Sequence, residues 1–290
     1  MAFLNCGAKT VTQGRKVNKA LRTQNDSSMD KQISLEQAAT LVNDGDMLAL
    51  GGMTLYRRPM AFVKALLRRE NRPRDLTLLA FTAGIESDLL VGAGMIKQTR
   101  TCYFGLEIFG LAPMFSYHAS RGELEIIEET EASLAFGLRA QMAGISFMPG
   151  RGWLGTDLPK LRPDVHTVTS PYTGEEYIAF PALQPDIAVI HALAADPHGN
   201  AQIGKNKGID EELALTAKTV IVTAEEIQPE LTQADLVAPL VDAVVHTPRG
   251  AAPTSCHPLY PLDGEAILHY TEQVSDPQSW AVYLREFILR

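Results

Sequence analysis

The chain has 290 residues, of which 46% are hydrophobic and 21% charged, and its formal net charge is −8. This composition is ordinary for a globular domain and excludes a chain that is disordered throughout. No apolar run approaches the roughly 18 residues of a membrane-spanning helix, and an acidic chain without a basic stripe is poorly suited to nucleic acid, so we expect neither a membrane nor a nucleic-acid partner.

Residues 1–28 differ from the rest of the chain. They carry five lysines and arginines against one acid, Asp26, which gives them a net charge of 5 − 1 = +4. They have no apolar stretch long enough for a secretory signal. The segment is typical either of an acid-poor transit peptide or of a flexible leader before a translation start at Met29, and we favour the leader. We assign the folded domain to residues 29–290.

From residue 34 onward, apolar strands alternate with helices. Ser34 and Gln37 form a capping-box pattern at a helix start, and Phe62, Leu66 and Leu67 lie on one face of a second helix. The pattern predicts helices at 34–41, from 59 through 67, from 84 through 90, and at 131–142, 210–217 and 277–287. It predicts strands at 47–50, 76–81, 101–104, 124–127, 187–191, 220–223 and 243–246.

Largely apolar strands separated by helices are typical of a parallel sheet covered on both faces. We therefore predict an α/β fold with an open, mostly parallel sheet and helices on both faces. Residues 149–174 are rich in Pro, Gly, Asp and Thr, and we expect a long surface excursion there. Gly92-Ala93-Gly94 begins like a dinucleotide fingerprint, but its third glycine is missing and it lies in a helix-like segment.

The common catalytic signatures are absent from the sequence. It contains no phosphate-binding loop, no HExxH pair and no GxSxG elbow. The seven histidines are scattered, so we expect no metal, and we interpret His191, at a strand end, as a hydrogen-bonded structural residue. Three distant cysteines form no CxxC pair, which indicates a reducing compartment, and we expect a cytoplasmic protein.

Short turns, most of them with glycine, follow four of the predicted strands. Ligands of open α/β sheets bind outside the carboxyl ends of the strands, and amides beside glycine can face an anion or a developing oxyanion at close range. The turns are Gly51-Gly52-Met53, Thr82-Ala83-Gly84, Gly105-Leu106-Glu107 and Ala224-Glu225-Glu226. Simple chain reversal is the alternative for each turn. For Glu225-Glu226, and for Asp210-Glu211-Glu212, the alternative is that acids at a helix start complement the helix dipole.

The longest motif covers residues 44–59, Asp-Gly-Asp-Met-Leu-Ala-Leu-Gly-Gly-Met-Thr-Leu-Tyr-Arg-Arg-Pro. It resembles the signature of family I CoA-transferase alpha subunits, with Met53 in place of Phe and Arg57 in place of Gly. Further stretches are similar to the glutaconate CoA-transferase branch of these alpha chains, namely 155–158, 170–175, 189–192, 195–200 and 250–260. The resemblance covers roughly residues 34–262, and the order and spacing of the motifs make it specific.

The resemblance implies an open α/β fold shared with the sugar-phosphate isomerases, and a heteromer with a homologous CoA-transferase beta subunit. It implies that a beta-chain glutamate attacks the acyl-CoA thioester, that a mixed anhydride and then a glutamyl-CoA thioester form, and that an acceptor acid takes the CoA. The Ser-Glu-Asn-Gly motif of the beta chains is absent here. We therefore expect the alpha subunit of a CoA-transferase, with coenzyme A entering as acyl-CoA and a small dicarboxylic acid as co-substrate.

Within this interpretation, the glycine turns shape the acyl pocket. Arg57 and Arg58 hold a substrate carboxylate or a CoA phosphate, or else lie solvated at a helix start. Glu107 is the predicted catalytic residue, because its apolar setting in Phe104–Pro113 would raise the pKa of its carboxyl group; otherwise it caps, or pairs with an arginine at an interface. The predicted substrate-binding residues are Gly51, Gly52, Met53, Arg57, Thr82 and Gly84.

Two other functions remain open. One is a CoA-ester hydrolase or lyase subunit on the same scaffold, and a partner without the nucleophilic glutamate would favour it. The other is a non-catalytic binding module, which predicts no turnover even with the partner present. The CoA-transferase and the hydrolase or lyase both predict an exposed apolar seam, because the active site would lie between two chains.

Overall fold

The computed structural model describes residues 29–289, so the leader predicted at 1–28 lies outside the described residues. The strands are β1 (Met47–Leu50), β2 (Leu76–Ala80), β3 (Ile96–Thr101), β4 (Glu125–Glu128), β5 (Phe147–Gly150), β6 (Thr167–Thr169), β7 (Glu176–Pro181), β8 (Ile187–Ala195), β9 (Ala201–Gln202), β10 (Thr219–Ile227) and β11 (Ala243–His246). The helices are α1 (Leu35–Thr40), α2 (Met60–Arg68), α3 (Ile85–Gly92), α4 (Pro113–Ser120), α5 (Glu131–Met142), α6 (Leu158–Leu161), α7 (Asp210–Thr216), α8 (Gly264–Gln273) and α9 (Pro277–Tyr283). A π-helical turn, Leu284–Ile288, extends α9.

The main sheet has the strand order β11-β10-β8-β1-β2-β3-β4, and β9 pairs with β8. All pairs along this order are parallel, whereas β9 is antiparallel. The carboxyl ends of the seven parallel strands therefore lie at one edge of the sheet, which we call the carboxyl edge, and the loops that follow them meet there. This arrangement confirms the predicted α/β fold.

Each face of the sheet has its own apolar core. Successive side chains of a strand point to opposite faces, so Leu48 and Leu50 enter one cluster and Ala49 the other. The first cluster is completed by α1, α2, α3, α4, α8 and α9, and the second by α5 and α7. Helices therefore cover both faces, and the carboxyl edge is left for loops.

The strand predicted at 101–104 is wrong in position, because β3 ends at Thr101. Its sequence, Ile-Lys-Gln-Thr-Arg-Thr, is polar, with Lys97 exposed and Thr99 buried. β3 lies beside the border strand β4, where a continuous apolar run is not required. The apolar residues 102–104 instead form the loop that leads to Glu107.

The surface excursion predicted at 149–174 is wrong in part. Strands β5, β7 and β6 form a separate antiparallel sheet in that order. Their apolar cluster is made of Trp153, Val165, Ile178 and Phe180. Helices α4 and α8 were not predicted. The Gly92–Gly94 segment is the carboxyl end of α3, with a positive φ of 65° at Gly94.

Among residues 29–289, no helix has both the length and the apolar character that crossing a membrane requires.

Candidate functional site

The loops that follow β1, β2 and β3 meet at the carboxyl edge. The N–H of Thr54 donates to the hydroxyl of Thr82 at 2.8 Å, and Ala83 forms a parallel bridge with Phe104. A Cβ on Gly84 would lie 2.3 Å from the carbonyl oxygen of Thr54, so these loops touch only because residue 84 lacks a side chain. The structure thus places in adjoining loops the predicted residues Gly51, Gly52, Met53, Arg57, Thr82 and Gly84.

The two glycines of the first loop pack against Asp210, the first residue of α7. A Cβ on Gly51 would lie 2.7 Å from Asp210 Oδ1. The N–H of Gly52 donates to the same carboxylate, at 3.0 Å to Oδ1 and 3.2 Å to Oδ2. The φ of 81° at Gly52 lies in the left-handed region that favours glycine.

The main-chain amides of this loop are engaged inside the chain. Besides Gly52, the N–H of Gly51 donates to the carbonyl of Val189 at 2.9 Å, and that of Met53 donates to the carbonyl of Tyr56 at 2.9 Å. These groups are not free to face an oxyanion in this arrangement. The glycines serve close packing, and their contact with a substrate stays a prediction.

Arg57 lies fully buried behind the loop, with a positive φ of 55°. Its Nη2 donates to Asp210 Oδ2 at 2.6 Å and to the carbonyl of Asn206 at 3.2 Å, and its Nη1 donates to the carbonyl of His191. Burial acts to lower the pKa of Arg57, but the charge and hydrogen bond of Asp210 outweigh it and the pKa is raised. Arg57 therefore stays charged and braces the loop.

Arg58 makes a second buried pair on the other side of the loop. Its Nη2 lies 2.5 Å from Glu86 Oε1, and both side chains are fully buried. The same oxygen accepts the hydroxyl of Ser87 at 2.5 Å and the N–H of Gly84 at 3.3 Å. The solvated positions considered for Arg57 and Arg58 are therefore wrong, and binding of a substrate anion by either one stays a prediction.

Sequence reasoning missed Asp210 and Glu86 as partners of these arginines. Acids in the first turn of a helix have a sufficient explanation in the helix dipole, so neither acid stood out. The available signal was the arginine pair itself. Two arginines inside an apolar loop need buried acids, because an unpaired buried charge is very costly.

A third cluster joins the interior of β8 and β10 to the loop after β11, and His191 is the fifth of the nine residues of β8 rather than at the strand end predicted for it. His191 Nδ1 lies 2.8 Å from Thr223 Oγ1, and its Nε2 lies 2.8 Å from Glu225 Oε1. The hydroxyl of Tyr260 and the N–H of Arg249 also donate to the Glu225 carboxylate. Burial lowers the pKa of His191; burial acts to raise that of Glu225, but hydrogen bonds from His191 and Tyr260 lower it. His191 is hydrogen-bonded and buried, as its structural interpretation requires.

Ligand atoms of His191, Glu225 and Cys256 lie within 4.8 Å of one another, so these residues are able to approach one metal ion. Two of the groups are already joined at hydrogen-bond distance, and Tyr260 donates to the same carboxylate. Burial raises the pKa of the Cys256 thiol to about 12, which keeps the thiol protonated. The geometry is that of a satisfied hydrogen-bond network.

Glu107 opens a 3₁₀ turn, Glu107–Phe109, after β3. Its N–H donates to the hydroxyl of Tyr103 at 3.2 Å, and its φ is 55°. The apolar enclosure expected for Glu107 is not found in this chain, because Glu107 is exposed. Its apolar neighbours are exposed with it, Ile108 at 93% and Leu111 at 75%. The turn thus presents a carboxyl group and an apolar surface together.

A parallel α/β sheet with braced glycine loops and an exposed acid at its carboxyl edge defines an enzyme-like ligand site. The sequence matches the Coenzyme A transferase family over residues 32–246. It is 33% identical to one subunit of the 3-oxoadipate CoA-transferase of Pseudomonas knackmussii, with 90% of this chain and 94% of that protein covered. It is 32% identical to the cholesterol ring-cleaving hydrolase IpdA subunit of Rhodococcus jostii, with 90% and 93% covered.

The fold agrees with these sequence matches. Glutaconate coenzyme A-transferase from Acidaminococcus fermentans superposes with a TM-score of 0.82 at 30% identity, covering 89% of each chain. This chain therefore belongs to the coenzyme A transferase family of enzymes, as its sequence motifs predicted. CoA thioesters are the substrates of that family.

Proposed function

We propose that this chain is the alpha subunit of an enzyme that moves CoA between an acyl-CoA and a small dicarboxylic acid. The nucleophilic glutamate belongs to a homologous beta subunit. The observation that carries the proposal is the incomplete site at the carboxyl edge. Glu107, Ile108 and Leu111 are exposed together, whereas the nearby acids Asp210 and Glu86 are tied to buried arginines.

The names of the similar proteins support the subunit organisation and the dicarboxylic substrate in this proposal. Two of them are named as single subunits of CoA-transferases, and the acids in their names, 3-oxoadipate and glutaconate, are dicarboxylates. The Ser-Glu-Asn-Gly motif expected of a beta chain is absent from this sequence. The exposed apolar residues of the Glu107 turn are suited to contact a second chain, because large apolar side chains gain most when a partner covers them.

The chemistry assigns different tasks to the two chains. The beta-chain carboxylate attacks the thioester carbonyl and the CoA thiolate leaves, which forms a mixed anhydride. The thiolate then attacks the glutamyl carbonyl of the anhydride, which forms a glutamyl-CoA thioester and releases the donor acid. The acceptor carboxylate attacks this thioester, and the same steps in reverse give the new acyl-CoA and free the glutamate. A carboxylate is a weak nucleophile, so the site must exclude water and stabilise the developing oxyanion. The braced loops of this chain supply a rigid wall for that site, and the partner supplies the reacting group.

Trapping the covalent intermediate tests the assignment. The chain is co-purified with the protein encoded beside it, mixed with acyl-CoA, and treated with borohydride or hydroxylamine, and the modified residue is mapped by mass spectrometry. We expect a modified glutamate on the companion chain. A modified glutamate on this chain would overturn the proposal, and so would full activity of this chain alone.

A second candidate is hydrolysis or carbon–carbon cleavage of a CoA ester. Two observations favour it: the similarity to a protein named as a ring-cleaving hydrolase, and an acid, Glu107, held at a strained backbone position on this chain. Such chemistry needs an acid/base group, and here Glu107 would supply it.

The variant Glu107→Gln separates the two candidates. If Glu107 acts as acid or base, kcat/KM of the purified complex falls roughly 10²- to 10⁴-fold. The matched control is Glu125→Gln, which changes an exposed glutamate of β4 on the same sheet. Near-normal kcat/KM for Glu107→Gln would remove this residue from the mechanism, and a trapped beta-chain intermediate would then favour transfer.

A further inference from the structure

Arg249 lies in the loop after β11, at the carboxyl edge. The non-glycine residues of the described range with positive φ are Thr54, Arg57, Asp75, Glu107 and Arg249. Thr54 and Arg57 are buried in the loop packing, and Asp75 precedes β2 at the opposite edge. The exposed members of this set at the carboxyl edge are Glu107 and Arg249. Because such conformations persist where the surrounding structure imposes them, often at functional sites, Arg249 stands beside Glu107 as a candidate.

The buried network around Glu225 imposes this conformation. The N–H of Arg249 donates to Glu225 Oε2, and the other carboxylate oxygen accepts from Tyr260 and lies 2.8 Å from His191 Nε2. The next residue, Gly250, has no space for a side chain, since a Cβ there would lie 2.6 Å from the carbonyl of Thr247 and 2.7 Å from His191 Cε1. The network therefore fixes the backbone that carries Arg249.

The guanidinium of Arg249 is also held in place. It lies over the ring of Tyr260, 4.8 Å from the centroid, which is a favourable cation–π distance. Across residues 29–289, no acid forms an ion pair with Arg249, and its side chain donates no hydrogen bond. Its planar set of donors is thus presented to solvent in a fixed orientation, which suits recognition of a carboxylate.

The hollow beside Arg249 has a volume of about 430 Å³ and includes Tyr260, Asp263 and Glu265 in its lining. The Asp263 carboxylate accepts the N–H of Ala266 at 3.0 Å as a helix cap, and Glu265 is exposed in the first turn of α8. The negative charges of these two acids repel a doubly charged phosphate more strongly than a singly charged carboxylate. The charge around the hollow therefore favours a carboxylate over a phosphate of CoA.

The hollow adjoins the turn that carries Glu107. Its lining includes Gly264, the first residue of α8, and a Cβ on Gly264 would lie 3.2 Å from the ring of Phe109, in the Glu107–Phe109 turn. We propose that Arg249 binds the remote carboxylate of a dicarboxylic substrate whose other end reacts near Glu107. This inference rests on the proposed function and names the residue that selects a dicarboxylic acid.

The test compares acceptor acids in the co-purified complex, with acetyl-CoA as donor. Succinate, glutarate and adipate are set against butyrate, pentanoate and hexanoate of the same chain lengths. In Arg249→Gln, we expect kcat/KM for the dicarboxylates to fall roughly 10- to 100-fold, mainly through KM, because a charge-assisted pair is lost. The monocarboxylates should change less than twofold, and Arg249→Lys should recover part of the dicarboxylate preference.

The matched control is Arg121→Gln, which removes another arginine stacked on a tyrosine, 3.6 Å from the ring of Tyr117. Equal losses for both acid series in Arg249→Gln would overturn the inference and indicate a structural role. A raised KM for acetyl-CoA, but not for acetyl-dephospho-CoA, would overturn it in favour of CoA phosphate binding. If the wild-type complex transfers CoA to no acid, the proposed function fails and this inference fails with it.

Discussion

Arg57 and Arg58 are neighbours in one loop, yet their side chains lead to opposite sides of it. Arg57 reaches Asp210 in α7, and Arg58 reaches Glu86 in α3. Both pairs are buried, and each acid also accepts an N–H from a glycine, Gly52 or Gly84. The loop after β1 is therefore held from two sides by the same kind of buried arginine–carboxylate pair.

The two pairs differ in how completely their polar atoms are satisfied. Both oxygens of Asp210 accept hydrogen bonds, whereas Glu86 uses Oε1 alone, and its Oε2 has no partner in the described part of the chain. Arg58 leaves Nε and Nη1 without partners, and Arg57 leaves only Nε. Each unsatisfied buried polar group costs about 1–3 kcal/mol. The Asp210 pair is therefore the more completely satisfied of the two.

The largest expected effects come from breaking either of these buried pairs. Asp210→Ala leaves the guanidinium of Arg57 buried without its counter-ion, and we expect the free energy of unfolding to fall by about 3–5 kcal/mol. Chemical denaturation of the purified protein measures this loss. The control is Glu211→Ala in the same helical turn, which removes a half-exposed pair with Lys207 and should cost at most about 1 kcal/mol.

Glu86→Ala then compares the two sides directly. It leaves the guanidinium of Arg58 with no acceptor in the described residues, whereas Arg57 keeps the carbonyls of His191 and Asn206 after Asp210→Ala. It also removes the unpartnered Oε2 of Glu86, which acts in the opposite direction. We therefore expect a loss similar to that of Asp210→Ala, about 3–5 kcal/mol. A loss of about 1 kcal/mol or less would show that the Glu86 pair does not hold the loop.

Asp88, two residues after Glu86, shows what happens to a buried acid that has donors but no arginine. It accepts the hydroxyl of Tyr270 at 2.6 Å and the N–H groups of Phe115 at 2.6 Å and Met114 at 3.2 Å. Burial, with a smaller contribution from the charge of Glu86, raises the pKa of Asp88 to about 6. Hydrogen bonds alone therefore do not fully offset the cost of burying the charged form here.

This shift makes stability depend on pH. Between the unfolded pKa of about 4 and the folded pKa of about 6, the native state holds a proton that the unfolded state has lost, so stability falls as the pH rises. The stabilisation is complete below pH 4 and is lost above pH 6, about 3 kcal/mol in all. The free energy of unfolding of Asp88→Asn, measured across this pH range, should lack this decrease with rising pH. An unchanged slope in the variant would assign the pH dependence to other groups.

The comparison also shows which features a sequence reveals. Strands β1, β8 and β10 were predicted because their apolar runs are local signals, whereas the polar β3 was not. The glycine loops were also predicted, because a glycine-containing turn directly after an apolar strand is a local signal. Their partners were not, because Asp210 lies 153 residues after Arg57 and only the fold brings them together. The exposure of Glu107 likewise depends on which residues pack over its turn, and spacing along the chain does not encode that.

The smallest expected effects come from filling the space at the glycines on each side. A Cβ on Gly84 would lie 2.3 Å from the main-chain oxygen of Thr54, and one on Gly51 would lie 2.7 Å from the carboxylate of Asp210. Overpacking of this kind costs about 1–3 kcal/mol. Gly84→Ala should be the more costly, because a backbone atom yields less than a side chain.

Gly152→Ala is the control for these two variants, since its Cβ would meet nothing closer than Ala132 Cβ at 3.3 Å. Thermal and chemical denaturation of the three variants give their order of stability. If Gly84→Ala is as stable as Gly152→Ala, the loops after β1 and β2 separate easily, and close contact between them does not hold the site. If Gly51→Ala instead costs more than Gly84→Ala, the Asp210 carboxylate is as immobile as main chain, because displacing it also breaks its bonds to Arg57 and Gly52.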